Sequence, residues 1–317
     1  MYYVVGLSGG VDSAVCAAIL KSRGYRVAGV YLDGGFGSYG DARDVAGQLG
    51  IDFEAVDISR DMKEKVIEPF LNDYKAGLTP NPCINCNPGV KFKTLVGAAH
   101  KLGADRIATG HYAVVRDGGL YKGLPGRDQS YMLYRMPEEW LCRIEFPLGS
   151  MDKGRVRGLA REYGIHVASK KDSMDVCFPY TLPERVWTLK DENGAILGEQ
   201  TGFFTIGQRR GLGVASYGRL YVCGIDAGAG IVTLGGPESV SKTRFSLGDV
   251  HMLAETDERF DCLARIRHAG SETEAAVELF SGGRAALEFK APVFGGAPGQ
   301  SAVFYKNDRV LGGGVIG

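Results

Sequence analysis

Eight residues near the start of the chain constrain its fold more than any others: Gly6-Leu7-Ser8-Gly9-Gly10-Val11-Asp12-Ser13. They follow the apolar run Tyr2-Tyr3-Val4-Val5. They also open residues 12–23, where Val15, Ala18 and Ile19 fall on one helical face before Gly24. A strand that turns through glycines into a helix directs backbone N–H groups at an anion, with no Cβ in the way and the positive end of the helix dipole behind them. Ser8 and Ser13 add hydroxyl donors. Asp12 is out of place beside bare phosphate, and a Mg²⁺–nucleotide complex would resolve that conflict. The segment lacks the Lys of a GxxxxGK[ST] loop, and it is not GxGxxG.

The residues that follow alternate between strand and helix. Strands are expected at 26–32, 53–58 and 106–109, and helices at 41–49, 61–74, 90–102 and 153–163. Such alternation predicts an α/β fold with a doubly wound parallel sheet, whose ligands bind at the carboxyl ends of the strands. Leu32 is placed there to meet an adenine, and Gly110 to let a ribose or phosphate approach closely. After residue 188 glycine becomes frequent and helical spacing disappears. Short alternating runs at 262–266, 275–279, 285–289 and 302–305 are punctuated by Gly282-Gly283, Gly295-Gly296 and Pro298-Gly299. They predict a small antiparallel barrel or sandwich.

The 317 residues suit two or three domains, and a hydrophobic fraction of 44% excludes a wholly disordered chain. With no run of about 20 apolar residues and no basic leader, the chain reads as cytoplasmic and without a membrane partner. The net charge of zero is unevenly distributed: residues 84–220 carry 20 basic and 14 acidic side chains. That middle segment suits a polyanion, or simply a solvated surface.

Seven cysteines and no secretory leader argue against a disulfide framework. Cys83 and Cys86 form a CxxC inside Thr79-Pro80-Asn81-Pro82-Cys83-Ile84-Asn85-Cys86-Asn87, stiffened by two prolines. The segment lies at an expected helix start, where the dipole stabilises a thiolate. Cys177 follows Lys170-Lys171, whose charges would lower its pKa if they approach in space. Cys16, Cys142, Cys223 and Cys262 sit in apolar or alternating runs and read as core.

The phosphate loop is similar to the SGGxDS loop of the ATP pyrophosphatase superfamily, which cleaves ATP to AMP and pyrophosphate. Further segments share that order with one family: residues 79–87, Gly110-His111-Tyr112, Asp128-Gln129-Ser130-Tyr131, Lys171-Asp172-Ser173 with Cys177-Phe178, Thr205-Ile206-Gly207-Gln208-Arg209-Arg210-Gly211-Leu212, and Pro298-Gly299-Gln300-Ser301-Ala302-Val303-Phe304-Tyr305. Together they resemble the tRNA-specific 2-thiouridylases over nearly the whole chain. The resemblance implies an adenine nucleotide alpha hydrolase-like catalytic domain at 1–185, a small central domain at 186–240 and a C-terminal antiparallel β-barrel at 241–317. It also implies ATP and Mg²⁺ at residues 6–13, Leu32 and Gly110, and tRNA as substrate. The C2 oxygen of the wobble uridine would be adenylated. Cys177 would carry sulfane sulfur as a persulfide from a sulfur-donor or carrier protein. Cys86 would be the partner thiol, ending in a Cys86–Cys177 disulfide that a reductant reopens. Asn81, Pro82 and Cys83 match positions around the target base. Arg127, Asp128, Gln129, His111 and Gln300 match tRNA-contacting positions, and Arg265 and Ile266 correspond loosely to another.

One residue departs from the family pattern, which has Asp where this chain has Cys83. A thiol can titrate, but its pKa and reach differ from those of a carboxylate, so Cys83 does not fill an acid–base role in the same way. Three thiolates, Cys83, Cys86 and Cys177, can instead hold a [4Fe–4S] cluster with one open iron. Readings that leave the paired thiols idle are another adenylating synthetase and a tRNA-binding relative without catalysis. An iron–sulfur redox or sensor protein is a further alternative.

Overall fold

A computed structural model describes residues 1–171, 176–182, 184–214 and 218–317. Two compact units emerge, interleaved in sequence. The first comprises Met1–Ile67, Pro82–Pro179 and Asp308–Val310; the second comprises Glu68–Asn81, Tyr180–Asn307 and Leu311–Gly317.

The first unit is built on β1 (Tyr2–Gly6), β2 (Arg26–Asp33), β3 (Asp52–Asp57), β4 (Arg106–Ala108) and β7 (Ile144–Glu145). They pair in parallel in the order β3-β2-β1-β4-β7. Its longer helices are α1 (Val11–Ser22), α2 (Gly40–Leu49), α3 (Lys93–Leu102) and α4 (Lys153–Glu162). β1 shows why the sheet lies inside. Tyr3, Val5 and Leu7 join one core with α1, α2 and α4, while Val4 is equally buried and Gly6 faces Leu95 of α3. A strand covered on both faces is apolar throughout. The order turns back between β1 and β4, so the loops leaving these strands diverge from one point. A hairpin, β5 (Ala113–Arg116) and β6 (Gly119–Lys122), follows β4.

The second unit holds two sheets. β8 (Val186–Asp191), β9 (Ile196–Thr201), β10 (Tyr221–Asp226) and β11 (Ile231–Gly235) pair in the order β10-β11-β8-β9 around Trp187, Leu189, Phe204, Val222 and Leu234. β12 (Ser241–Met252), β13 (Arg259–Arg265), β14 (Thr273–Phe280), β15 (Arg284–Phe294), β16 (Ser301–Lys306) and β17 (Arg309–Ile316) form an antiparallel barrel. The pairing of β12 with β17 closes it, so no edge is left open. Its interior takes alternate residues, among them Cys262, Ala264, Val277, Leu287, Phe289 and Phe304.

The doubly wound sheet and the barrel match the expected fold class. β7, the hairpin, the central sheet, β12 and β17 are additions to the sequence reading. Two expected helices are interrupted: residues 63–67 and 87–92 take π-helical bonding. Among the described residues, no helix is long and apolar enough to cross a membrane. Leu287 is fully buried in the barrel. Leu287→Ala should therefore cost the barrel about 2–5 kcal/mol. Hydrogen exchange should show lost amide protection in β14 and β15, with β1 unchanged.

Candidate active site

The glycine loop folds as the sequence requires. Gly9 has φ +73°, and a Cβ there would lie 3.0 Å from Asp41 Cβ and 3.1 Å from the Ala42 nitrogen. Gly10 caps α1 with extended backbone and no side-chain cap, leaving the first-turn N–H groups without intrahelical partners. Ser13 is turned inward: its Oγ donates to the Gly10 carbonyl at 3.0 Å and accepts the Ser8 N–H at 3.1 Å. Ser13 thus shapes the cradle, and the exposed Ser8 hydroxyl is the better placed donor to an anion.

Asp12 is explained by a cation the sequence reading did not supply. Lys153 Nζ lies 2.7 and 2.9 Å from its two carboxylate oxygens, and the Tyr112 hydroxyl donates to Oδ1 at 2.8 Å. A metal is therefore not needed to account for a carboxylate at this loop. Lys170 lies on the other flank. It donates to the Gly9 carbonyl at 3.2 Å and to Asp41 Oδ2 at 2.5 Å, and its hydrogen bond and charge hold the Asp41 carboxyl below the usual range. Lys170 thereby reaches the glycine loop, a contact that its place ahead of Cys177 did not announce. Lys153 did leave a trace in the sequence. It opens α4 behind the N-cap Asp152, where a positive charge opposes the helix dipole.

The chain leaving β4 presses against the same loop. A Cβ on Gly110 would fall 2.7 Å from the Asp12 carbonyl carbon and 2.9 Å from the Ser13 nitrogen. Gly110 thus admits the first turn of α1 to close contact. His111 is half-buried, its Nδ1 2.6 Å from Thr109 Oγ1 and its ring in a triangle with those of Phe92 and Phe146. Burial, with Lys91 nearby, lowers its pKa well below the ordinary value and keeps the imidazole neutral. Leu32 is half-buried at the end of β2.

Cys83 and Cys86 lie in a short helix, Pro82–Cys86, that runs into the π-helical turn and α3. Cys86 is buried with its Sγ 3.9 Å from Met62 Sδ. Burial pushes its thiol up to about 11; Lys91 opposes this, and the charges of Cys177 and Cys83 add to it. Burial also raises the Cys83 thiol, again with Lys91 opposing and Cys177 adding. Desolvation thus outweighs the expected stabilisation by the helix start. Cys177 is exposed, and its charge is also felt by Tyr31, the residue before Leu32. The fold brings Cys83, Cys86 and Cys177 within electrostatic range of one another, on the side where β2 ends. All seven cysteines are free thiols. Among the described residues no three His, Cys, Asp or Glu side chains gather as a metal site, so the three thiols do not fit a cluster in this arrangement. Residues 172–175, part of the motif before Cys177, lie outside the described residues. Cys16 and Cys262 are buried as expected, whereas Cys223 is half-buried and Cys142 is exposed, its Sγ donating to the Glu139 carbonyl. The apolar run around Cys142 ends at a helix terminus on the surface, which spacing alone does not reveal.

The remaining candidates separate by role. Arg127 is exposed on a turn that its neighbours hold rigid. Asp128 Oδ1 accepts the Gly123 and Ser130 N–H groups, and Gln129 Oε1 accepts the Tyr112 N–H at 2.9 Å. The same segment braces the CxxC helix: Asn87 donates to the Met132 carbonyl, and Arg135 to Asn85 Oδ1. Pro82 is buried at the start of that helix. In the second unit, Asn81 is half-buried at the end of a segment clamped at Thr79. The Thr79 N–H donates to the Pro298 carbonyl, and its own carbonyl accepts Gln300 Nε2 at 2.8 Å. Ile266 is buried in the barrel core, and Arg265 is tied to Glu272 at 2.6 Å with its side chain 12% exposed. Both are explained by the barrel itself.

A glycine loop feeding a helix N-terminus at the switch point of a parallel sheet defines a nucleotide-binding enzyme domain of the doubly wound class. The family model described as the tRNA methyl transferase HUP domain matches residues 1–180. The tRNA methyl transferase PRC-barrel domain matches 180–236, and the aminomethyltransferase beta-barrel domain 242–316. The tRNA-specific 2-thiouridylase MnmA of Geobacter metallireducens is 39% identical, covering 99% of this chain and 96% of its own. The protein of the same name from Magnetococcus marinus is 37% identical, with 98% of each chain covered. A solved 4-thiouridine synthetase–RNA complex with bound ATP aligns over 56% of this chain and 44% of that one, at 20% identity and a TM-score of 0.38. The chain belongs to the family of tRNA-specific 2-thiouridylases.

Two expectations follow from the geometry. Gly110→Ala should push the first turn of α1 aside and weaken ATP binding by roughly tenfold or more, measured by titration with a fluorescent ATP analogue. In a pulse of iodoacetamide at pH 8, mass spectrometry should find Cys177 and Cys142 modified before Cys86. The Cys86 rate should climb as pH approaches 11, because only the thiolate reacts and burial holds the proton on until then.

Proposed function

We propose that this protein is a tRNA-uridine 2-sulfurtransferase that thiolates C2 of the wobble uridine with ATP and sulfane sulfur. The C2 oxygen attacks the α-phosphorus of ATP, pyrophosphate leaves, and the oxygen becomes part of an AMP leaving group. The cradle of residues 6–13, with Lys153 and Lys170 beside it, is suited to hold the phosphates. Leu32 and Gly110 flank it as nucleotide contacts. Mg²⁺ would arrive with the nucleotide and offset phosphate charge; Asp12 is the nearest carboxylate of the loop.

Sulfur then enters as a persulfide on Cys177, loaded by a sulfur-donor or carrier protein. In one route the Cys86 thiolate attacks Sγ of Cys177 and releases hydrosulfide, which displaces AMP from C2. In the other, the terminal persulfide sulfur displaces AMP first, and Cys86 then attacks Sγ of Cys177, leaving sulfur on C2. Both routes form a Cys86–Cys177 disulfide, and a dithiol reductant returns the two electrons that reopen it. The observation that carries this reading is the exposed Cys177 within electrostatic range of the buried Cys86, beside the strand end that adjoins the phosphate loop. Asn81, Pro82, Cys83, His111, Arg127, Asp128, Gln129 and Gln300 are the proposed tRNA contacts. Of these, the exposed Arg127 is suited to phosphate, while Asp128 and Gln129 shape the turn. The division into 1–185, 186–240 and 241–317 accompanies this assignment.

A second reading uses Cys83 as the third ligand of a [4Fe–4S] cluster. It is favoured by the way the three thiols sense one another. No step is assigned to it, because the trio is not gathered for metal.

Anaerobically purified protein given ATP, Mg²⁺, a persulfide donor and unmodified tRNA should yield 2-thiouridine on nucleoside analysis, with iron measured on the same sample. Cys177→Ser should abolish the product. Cys86→Ser should block turnover while persulfide accumulates on Cys177. If thiolation occurs only after iron and sulfide are restored, the cluster reading takes over. RNA binding without AMP formation would sink both.

A further inference from the structure

We infer that Tyr112 is a positioning residue that makes ATP binding and tRNA binding depend on each other, an inference that rests on the function proposed above. Tyr112 is 3% exposed and is held at both ends. Its N–H donates to Gln129 Oε1 at 2.9 Å, and its carbonyl accepts the Gln129 N–H at 2.8 Å. Its hydroxyl donates to Asp12 Oδ1 at 2.8 Å, in the first turn of α1. Gln129 belongs to the turn that presents Arg127, and Asp128 fixes that turn through the Gly123 and Ser130 N–H groups. One buried residue therefore joins the proposed RNA-contacting turn, through its main chain, to the phosphate loop, through its hydroxyl.

The coupling has a physical cause at Asp12. Lys153 pairs with both carboxylate oxygens, and an incoming triphosphate competes for the same ammonium. As Lys153 turns toward phosphate, the phenolic O–H is the contact that keeps Asp12, and with it the helix turn, in place. RNA that immobilises residues 127–129 immobilises the main chain of Tyr112 at two points and so fixes its phenol oxygen. ATP then meets a helix N-terminus that is already ordered. Coupling of this kind is reciprocal: each ligand must tighten the other by the same factor.

The test is a pair of binding ratios on the full chain. The affinity of α,β-methylene-ATP is measured with and without saturating unmodified tRNA, and the affinity of tRNA with and without the analogue. In the native chain each ligand should tighten the other about fivefold or more. Tyr112→Phe keeps the ring and the main-chain bonds and loses only the O–H, so both ratios should fall toward one, whatever the absolute affinities. Damage that is merely structural would weaken each ligand and leave the ratio intact. A second pair of variants carries the test if Tyr112→Phe fails to fold: Gln129→Glu keeps an acceptor for the Tyr112 N–H and should keep the ratio, whereas Gln129→Met should lose it. An undiminished ratio in Tyr112→Phe, or both ligands binding the native chain independently, overturns the inference alone. Failure of the native chain to bind tRNA overturns it together with the proposed function.

Discussion

The backbone at Gly110 passes the first turn of α1 so closely that one added carbon would stand 2.7 Å from the Asp12 carbonyl carbon. The site depends on that approach. β1 and β4 are parallel neighbours, so their outgoing loops begin side by side and then diverge. A side chain at 110 would hold them apart, and Tyr112, two residues on, would lose its reach to Asp12. Through Gln129 the same contact fixes the turn at 127–130. Residues 132 and 135 of the same stretch brace the helix that carries Cys83 and Cys86. Loop, turn and thiol helix thus share one support.

Asp12 would be a poor choice for a phosphate loop if it stood alone, since its charge repels what the glycines are arranged to attract. The structure answers with Lys153, whose side chain is 11% exposed, and with the Tyr112 hydroxyl. A partly buried pair of this kind is costly to break, because the remaining charge is left with neither water nor partner. The pair thus keeps a cation beside the glycine loop without leaving either charge unpaired.

Much of this was legible in the residues. The glycine loop announced a strand, a helix and an anion site together, because only glycine tolerates the geometry at residues 9 and 110. Alternation announced the parallel sheet and four of the barrel strands. What stayed hidden were long-range pairings of charge and ladder. Lys153 lies 141 residues from Asp12, and nothing local marks the partner beyond a cation at the wrong end of a helix. The central sheet joins β8 to β11 in parallel although β9 and β10 lie between them in sequence, a pairing that no local spacing announces. The surroundings of Arg265 and Ile266 were hidden as well: the barrel takes Ile266 into its core and ties Arg265 to Glu272, which matching by position does not reveal.

The two thiols stand in opposite surroundings. Cys177 is exposed, whereas Cys86 is buried with its thiol raised to about 11. Burial is the largest cause of that rise; the charge of Lys91 opposes it, and the charges of Cys177 and Cys83 add to it. Because the thiolate is the reactive form, a reagent arriving from solvent meets Cys177 first, and Cys86 answers only where its surroundings let the proton go. The short helix that begins at the buried Pro82 fixes this difference, since it carries Cys86 inward against Met62.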